Sequence, residues 1–348
     1  MNHFMFYEGY LLKVNFPLVV VFVIFGLYTV VGNTLVSTLY FLDPFKTLRR
    51  TLSFYYMVNL AFADILVGIV VEPLNVSVYW TKSEPALFAF YLFAVLSCVS
   101  SILNISAMML DRYIAVRQAF RYRVLVMVKR IRASVVFLWL YAFHFSLLAF
   151  LGWRDAPFQI YLHGFGVFVP SAIMLASYHG LIQVLKKKSA KLKRFSSRIS
   201  KASTQAKKMV QRERRISTTV FMMLTVFFVA WFPFVVVDFV LVFCAHCRSQ
   251  GLLLARDITL SLAFFFSGIN PVLYTWRVRR FKQGLLKLLK LRVSENFRIS
   301  PKLSRVRPSV TKLSQAAMVE LEPLPIHNLE NDTCSVIFGT GSTKQKHS

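Results

Sequence analysis

Seven long runs of apolar residues alternate with shorter polar gaps along most of the chain. The runs cover approximately residues 16–41, 52–77, 86–114, 131–152, 158–185, 215–243 and 252–276. A helix needs about 20 mostly apolar residues to cross the hydrocarbon core of a bilayer. Because lipid offers no partner to backbone N–H and C=O groups, runs of this length in a membrane are helical. The pattern therefore predicts an all-α membrane protein with a bundle of seven transmembrane helices.

The distribution of basic residues among the gaps predicts the orientation of this bundle. The first, third and fifth gaps are rich in Lys and Arg, whereas the second, fourth and sixth gaps hold one such residue each. Cytoplasmic loops of membrane proteins carry the excess of Lys and Arg. We therefore expect the amino terminus to be extracellular and the segment after the seventh run to be cytoplasmic.

The chain changes character after the seventh run. Residues 277–291 alternate apolar and basic side chains at helical spacing, which predicts a short amphipathic helix on the inner leaflet. Residues 292–348 are polar and predict a disordered cytoplasmic tail. The predicted organisation is an extracellular segment (1–15), the transmembrane bundle (16–276), the membrane-surface helix and the tail.

The composition and charge of the chain agree with a membrane protein. Its 348 residues are 56% hydrophobic, compared with roughly 45–50% in soluble domains. The net charge of +27 does not indicate a nucleic-acid partner, because the basic residues lie in the gaps and along the second half of the chain. This placement is typical of cytoplasmic segments that are attracted to anionic lipid.

The four cysteines are too few for a disulfide framework. Cys244 and Cys247 share a short gap that is predicted to be extracellular, so they are the candidate disulfide pair. Cys98 lies within an apolar run and Cys334 in the polar tail, and both are expected to be free.

A carboxylate and several smaller polar residues interrupt the apolar runs. A charged side chain at the bilayer centre costs about 2.5–3.5 kcal/mol on insertion scales, so Asp64 must face the bundle interior. Its candidate partners in the other runs are Asn33, Ser101, Asn104, Ser267 and Asn270. The alternative is a structural polar cluster that only holds the helices together.

Two prolines and three charged residues lie at positions where they can act as a switch. Pro233 and Pro271 each remove a backbone donor and kink a helix, which creates a hinge. Asp111 and Arg112 stand at the inner end of the third run, and Glu213 precedes the sixth run. Glu213 is a candidate partner of Arg112 that would hold the inner face closed. The alternatives are interfacial snorkelling of the charge pair and local charge balance by Glu213.

Taken in order, these motifs resemble those of the rhodopsin-like family of G-protein-coupled receptors. They are Gly32-Asn33, Leu60-Ala61-Phe62-Ala63-Asp64, Asp111-Arg112-Tyr113, Trp139, Pro170 with Tyr178, Trp231-Phe232-Pro233 and Asn270-Pro271-Val272-Leu273-Tyr274. Each motif is short, but one set per run in the same order is specific. The resemblance covers roughly residues 16 to 290. It implies a plasma-membrane receptor for an extracellular ligand, with a heterotrimeric G protein, arrestin and a receptor kinase as partners.

The resemblance also implies roles for individual residues. Asp64, Ser101 and Asn270 match the family's allosteric sodium site, so Na⁺ is the one ion expected. Arg112 matches the arginine that is held in the inactive state and meets the G protein in the active state. The implied activation switch comprises Asp111, Arg112, Tyr113, Tyr178, Glu213, Trp231, Pro233, Asn270, Pro271 and Tyr274.

The chain departs from the family pattern at its outer face. The usual cysteine at the outer end of the third run is absent, and the loop from Gly152 to Pro157 has none, so the family's main extracellular disulfide cannot form. A short cysteine-free loop, with Cys244 and Cys247 in the last outer gap, is similar to the melanocortin receptors and their relatives among lipid receptors.

Residues in the outer halves of the runs indicate which classes of ligand to expect. Ala94 stands where amine receptors carry an aspartate, and the seventh run has no lysine for retinal, so neither ligand is expected. Glu72, Asp238 and Asp257 favour a cationic or basic peptide ligand if they converge; the alternative is that they face water at the rim. The candidate ligand-binding residues are Glu72, Ala94, His163, Trp231, Asp238, Asp257 and Phe264.

Other functions remain open from the residues alone. A buried aspartate with Asn and Pro is also typical of the ion path of a transporter or channel. A receptor that signals without a ligand fits the same pattern. We do not expect an enzyme, because the sequence has no phosphate-binding loop, zinc-binding helix or nucleophile elbow.

Overall fold

The computed structural model describes seven stretches of the chain. These are residues 16–43, 53–81, 83–118, 128–195, 200–247, 249–277 and 279–288. The predicted extracellular segment 1–15 and the predicted tail 292–348 lie outside the described residues.

Seven long helices follow the seven apolar runs. They are α1 (Phe16–Leu42), α2 (Ser53–Leu66, a π-helical segment Val67–Val71, and Glu72–Thr81), α3 (Glu84–Arg117), α4 (Val128–Phe150), α5 (Ala156–Tyr161, a π-helical segment Leu162–Phe168, and Val169–Phe195), α6 (Ser200–Phe243) and α7 (Gln250–Arg277). A short helix, α8 (Arg279–Leu288), follows α7, and a 3₁₀ turn (Ala245–Cys247) joins α6 to α7. The described residues contain no strand.

All seven long helices are long and apolar enough to cross a membrane. Their outward faces carry large apolar side chains, such as Phe137, Leu140 and Val229, which are 63%, 62% and 61% exposed. In contrast, Asn33, Asp64 and Asn104 are fully buried between helices. Polar groups inside and apolar groups outside are the arrangement that suits lipid. The predicted all-α membrane fold is confirmed, and the chain is a multi-pass membrane protein.

Helix α8 confirms the predicted helix after the seventh run; it spans Arg279–Leu288, and residues 289–291 of the predicted range lie outside the described residues. Phe281 is 2% exposed, and its ring lies edge-on to Tyr274 with the centroids 6.1 Å apart. Gly284 permits close packing on α1, because a Cβ at this position would lie 2.8 Å from Cδ1 of Leu39. Helix α8 is therefore attached to the bundle through both α1 and α7.

Two helices continue beyond their apolar runs. The basic stretch 186–215 has Lys and Arg at helical spacing, which predicts that it extends the fifth and sixth helices or anchors the chain to lipid. Helix α5 continues to Phe195, past the end of its apolar run near 185, and α6 begins at Ser200, before its apolar run starts near 215. The added residues are rich in Lys, Arg and Gln, which favour helix but are excluded from an apolar run. We call the end of the bundle that holds Asp111 and Arg112 the inner end, and the opposite end the outer end.

Candidate functional site

A cavity of about 130 Å³ lies in the outer half of the bundle. Helices α3, α5, α6 and α7 and the loop before α5 contribute its walls. Trp231 and Phe234 of α6 line it together, with their ring centroids 6.0 Å apart in an edge-to-face contact. Most of the other lining residues are aliphatic or aromatic. The cavity therefore suits a ligand with an apolar body.

Four ionisable residues line this cavity, namely Arg154, His163, Asp238 and Arg256. Nε2 of His163 lies 3.6 Å from Oδ2 of Asp238, and Nε of Arg256 lies 3.9 Å from Oδ1 of the same carboxylate. Nδ1 of His163 is 2.9 Å from the carbonyl oxygen of Gln159, which fixes the imidazole on α5. Asp238 thus joins α5, α6 and α7 at the outer end.

The structure places the predicted ligand-binding residues in two groups. Ala94, His163, Trp231 and Asp238 line the cavity. Glu72, Asp257 and Phe264 are not among the residues that line it. Phe264 is 1% exposed and packs edge-on against Phe90, which does line the cavity.

Glu72 faces α1 rather than the cavity. It is 2% exposed, and a Cβ at Gly26 of α1 would lie 2.6 Å from its Oε2. Neither carboxylate oxygen has a hydrogen-bond partner in the described part of the chain. Glu72 and Asp238 therefore do not converge on one site, as a strongly acidic cavity would require.

Sequence reasoning missed the two arginines of the cavity. Arg154 is the one basic residue of the fourth gap, and Arg256 lies within the seventh apolar run. The position of Arg256 in a membrane-spanning run nonetheless predicts that it faces the protein interior, because a charged residue there avoids lipid. Arg256 is 8% exposed on α7.

Asp64 forms the centre of a polar cluster between α2, α3 and α7. The Nδ2 group of Asn270 donates to Oδ2 of Asp64 at 2.8 Å, and the hydroxyl of Ser101 donates to Oδ1 at 3.4 Å. Asp64 is fully buried. The structure thus brings together the three residues of the predicted sodium site. No group of three or more His, Cys, Asp or Glu side chains in the described ranges forms a metal site of another kind.

A second polar network links α2, α3 and α4. The indole N–H of Trp139 donates to Oδ1 of Asn59 at 2.8 Å, and Nδ2 of Asn59 donates to Oδ1 of Asn104 at 2.6 Å. Asn104 in turn donates to the carbonyl of Ser100 at 2.8 Å. These bonds fix the relative positions of the three helices.

At the inner end, Arg112 is held by its neighbour on α3. Its Nη2 lies 3.1 Å from Oδ2 of Asp111, and the two side chains are 11% and 4% exposed. The adjacent Tyr113 packs on α5, since a Cβ at Gly180 would lie 2.6 Å from the tyrosine ring. Glu213 belongs to α6, but its side chain lies outside the described part of the structure, so its pairing with Arg112 stays a prediction.

The remaining switch residues lie on α5, α6 and α7. Tyr178 of α5 stacks on Phe221 of α6 with the centroids 4.9 Å apart. Pro233 and Pro271 are inside α6 and α7, respectively, as predicted. Tyr274 is 1% exposed, and its hydroxyl has no hydrogen-bond partner among the described residues.

The outer end carries a disulfide between Cys244 and Cys247, with the Cα atoms 5.3 Å apart. This pairing is the one that the sequence indicated. The bond closes the 3₁₀ turn between α6 and α7, next to the helix ends that bear Asp238 and Arg256.

Comparison with known proteins agrees with this geometry. The family model described as the 7 transmembrane receptors of the rhodopsin family matches residues 32–274. The chain belongs to this family and is a G-protein-coupled receptor. The resemblance seen in the motifs is therefore confirmed.

The curated relatives include several adenosine receptors. The chain is 28% identical to adenosine receptor A3 of the dog, Canis lupus familiaris, over 80% of this chain and 93% of the relative. It is 26% identical to adenosine receptor A3 of the sheep, Ovis aries, over 77% and 88%. It is 25% identical to human adenosine receptor A2a over 80% and 74%. None of these relatives is named as a melanocortin or lipid receptor, so that finer likeness stays a prediction.

Proposed function

We propose that the chain is a plasma-membrane receptor that binds an extracellular ligand in the outer cavity and activates a heterotrimeric G protein at the inner end. The observation that supports this most directly is the continuity of α6. This helix runs from Ser200 to Phe243, about 65 Å at the usual rise, and carries Trp231 in the cavity wall. A ligand in contact with Trp231 therefore acts on the same helix that reaches the inner end.

Activation requires only that the ligand binds one arrangement of the bundle better than the other. Each tenfold preference shifts the equilibrium by about 1.4 kcal/mol. Pro233 and Pro271 provide points at which α6 and α7 can bend. Movement of α6 away from α3 would release Arg112 for contact with the G protein.

The cluster around Asp64 fits a sodium ion. The site offers one carboxylate with the hydroxyl of Ser101 and the side-chain amide of Asn270 beside it, and oxygen ligands of low total charge suit a hard monovalent cation. Bound sodium would supply the positive charge that a fully buried carboxylate otherwise lacks. Asp64 links α2, α3 and α7 in the arrangement seen here. A sodium ion bound to this carboxylate would therefore favour that arrangement.

The orientation and the segments follow from the same proposal. The amino terminus, residues 1–15, would be extracellular, and residues 292–348 would be a cytoplasmic tail that arrestin and a receptor kinase recognise. An epitope tag at residue 1 should be labelled by antibody on intact cells, and a tag at residue 348 only after permeabilisation. The reverse pattern would contradict the orientation.

A screen with a panel of G-protein activation reporters tests the function. The full chain is expressed in cells with one reporter for each G-protein class, and a ligand library is applied. Adenosine belongs in this library because the relatives are named as adenosine receptors. We expect at least one compound to activate one reporter, and Arg112→Ala to abolish that response at equal surface expression.

The exposed Arg132 on α4 provides the matched control, since Arg132→Ala should leave the response unchanged. Reporter activity without any compound would indicate a receptor that signals without a ligand. Voltage-dependent current or substrate uptake, with no reporter response, would favour the transporter or channel and defeat the proposal.

A further inference from the structure

Glu72 of α2 is a carboxyl group buried between α1 and α2 without a polar partner. The residue is 2% exposed, and neither carboxylate oxygen has a hydrogen-bond partner in the part of the chain that the structure describes. None of the ion pairs between described side chains includes Glu72. An ionised carboxylate that is buried without a partner is so costly that the group takes up a proton instead. The neutral acid is therefore the form that suits this position.

Two glycines bring main-chain carbonyl groups close to this carboxyl group. A Cβ at Gly26 of α1 would lie 2.6 Å from Oε2 of Glu72 and 3.4 Å from the carbonyl oxygen of Gly68 in α2. A Cβ at Gly68 would lie 2.9 Å from the carbonyl oxygen of Gly26. Carbonyl and carboxylate oxygens are all acceptors, whereas a neutral carboxyl group has one O–H donor. A proton on Glu72 therefore places a donor where acceptors alone would otherwise meet.

The backbone of α2 deprives the carbonyl of Gly68 of its usual helical donors. In a regular α-helix this carbonyl accepts from the N–H four residues later, at Glu72. The N–H of Glu72 instead donates to the carbonyl of Val67, which is the π-helical bond. The π-helical donor to Gly68 would be residue 73, but Pro73 has no N–H. Since buried carbonyl groups are normally paired, the O–H of a neutral Glu72 can supply the bond that both positions lack.

The other ionisable groups near this contact have surroundings of their own. On α1 the ionisable residues are Tyr28 and Tyr40, whose rings contact Phe265 of α7 and Tyr55 of α2, respectively. The described ionisable side chains in the outer halves of α2, α3 and α7 are otherwise Asp64, Glu84, Tyr91, Cys98, Arg256 and Asp257. None of these groups forms a hydrogen bond or an ion pair with Glu72. Its protonation therefore depends on the α1–α2 contact itself.

We propose that Glu72 is a proton-binding site of the receptor: its carboxylate takes a proton from water, and the neutral acid donates to the carbonyl oxygen of Gly68 at the contact between α1 and α2. Loss of this proton leaves a charge beside two carbonyl oxygens, so the two helices must part far enough to admit water. The folded bundle thus holds a proton that the unfolded chain releases. Its stability therefore falls as the pH rises through the range in which the folded form gives up this proton.

Infrared spectroscopy of the purified full chain in lipid nanodiscs tests the proton directly. A neutral carboxylic acid has a C=O stretching band that a carboxylate lacks, so difference spectra between about pH 5 and about pH 9 show which acids lose a proton. We expect the parent to lose a band in this range that is absent from Glu72→Gln at every pH. Glu84→Gln, at an exposed glutamate where α3 begins, should keep the band.

The thermal unfolding midpoint gives a second readout on the same samples. In the parent it should fall by several degrees between about pH 5 and about pH 9. Glu72→Gln keeps an N–H donor for the carbonyl of Gly68 but has no ionisable group at this position. Its midpoint should therefore match the parent at the lower pH and lose most of the fall. Glu84→Gln should show the same fall as the parent.

Isotope labelling removes the dependence on a folded variant. If Glu72→Gln does not fold, the parent is prepared with ¹³C at its glutamate carboxyl groups. The label should shift the band that disappears at high pH, because it belongs to a glutamic acid. A band from a buried aspartic acid such as Asp64 would not shift.

Three results would overturn the inference. The first is the absence of any neutral-acid band that depends on Glu72 or on the glutamate label. The second is a midpoint that falls as far in Glu72→Gln as in the parent. The third is stabilisation by Na⁺ at about pH 9 that Glu72→Gln abolishes, which would identify a metal cation in place of the proton. The samples contain neither ligand nor G protein, so any of these results leaves the proposed signalling untouched.

Discussion

The side-chain amide of Asn33 in α1 donates a 3.3 Å hydrogen bond to the backbone carbonyl of Ser267 in α7. Ser267 lies four residues before Pro271, so this carbonyl is the acceptor that an N–H at position 271 would have used. Gly32 lets α1 reach this point, because a Cβ there would lie 3.1 Å from Cγ of Pro271. The Gly32-Asn33 pair of α1 thus compensates for the proline kink of α7.

Replacing Asn33 with Ala should destabilise the receptor measurably. The carbonyl of Ser267 would be left buried without this donor, which costs about 1–3 kcal/mol. We expect the thermal unfolding midpoint of the purified receptor to fall by several degrees. Thr225→Ala is the control, since the exposed Thr225 hydroxyl bonds only within its own helix, to Phe221. Equal midpoints for the two variants would show that the α1–α7 bond contributes nothing.

A methyl group at Gly68 should separate α1 from α2. The Cβ of an alanine would lie 2.9 Å from the carbonyl oxygen of Gly26 and 2.6 Å from Cγ2 of Val30. The first contact is with backbone, which cannot rotate away, so the helices must shift, at a cost of about 1–3 kcal/mol. Gly68→Ala should therefore lower the unfolding midpoint and reduce surface expression.

Gly164→Ala is the matched control for this steric prediction. Gly164 also lies in a π-helical segment, but a Cβ there has no neighbour within 4 Å. Its midpoint should stay within about 1 °C of the parent, since surface substitutions change stability by roughly 0.5 kcal/mol or less. If the unfolding midpoint of Gly164→Ala fell as far as that of Gly68→Ala, the effect would come from the π-helical segments and not from the α1–α2 contact.

The sequence predicts the helices and the polar cluster around Asp64 well, because exposing a charged or unpaired polar group to lipid is costly. Asp64 had to face the interior, and the few polar residues in the other runs were its available partners. The structure joins it to Asn270 and Ser101. The pairing of Cys244 with Cys247 was similarly limited by the small number of cysteines.

The outer cavity was harder to predict, because a helix that is apolar on all sides does not reveal which face points inward. The π-helical segment Val67–Val71 immediately precedes Glu72 in α2. One additional residue in a turn rotates all following positions by about 100°. An ideal helix would therefore place Glu72 differently from the position observed against Gly26.

Asp64→Asn should abolish stabilisation of the receptor by sodium. In the parent, sodium at ten times its dissociation constant should stabilise the ligand-free form by about 1.4 kcal/mol, because it binds the folded state alone. The measurement is the unfolding midpoint in NaCl compared with choline chloride at the same ionic strength. Asp257→Asn, which removes a carboxylate at the outer end, should keep the sodium effect. A midpoint that responds equally to sodium in Asp64→Asn would place the ion elsewhere.

Glu213→Ala should raise ligand-independent signalling. Arg112 is nearly buried beside Asp111 at the inner end. Glu213 belongs to α6, the helix that is proposed to move away from α3 on activation. An ion pair near a protein surface contributes about 0.2–1 kcal/mol, so loss of the proposed Arg112–Glu213 pair should shift the equilibrium toward the active form by up to about fivefold. Glu213→Gln should change basal signalling in the same direction but by less, since an amide can still accept a hydrogen bond from the guanidinium.

The control is Glu84→Ala, at an exposed glutamate where α3 begins at the opposite end of the bundle. Basal reporter activity that stays at the parent level in Glu213→Ala, at matched surface expression, would mean that Asp111 alone restrains Arg112.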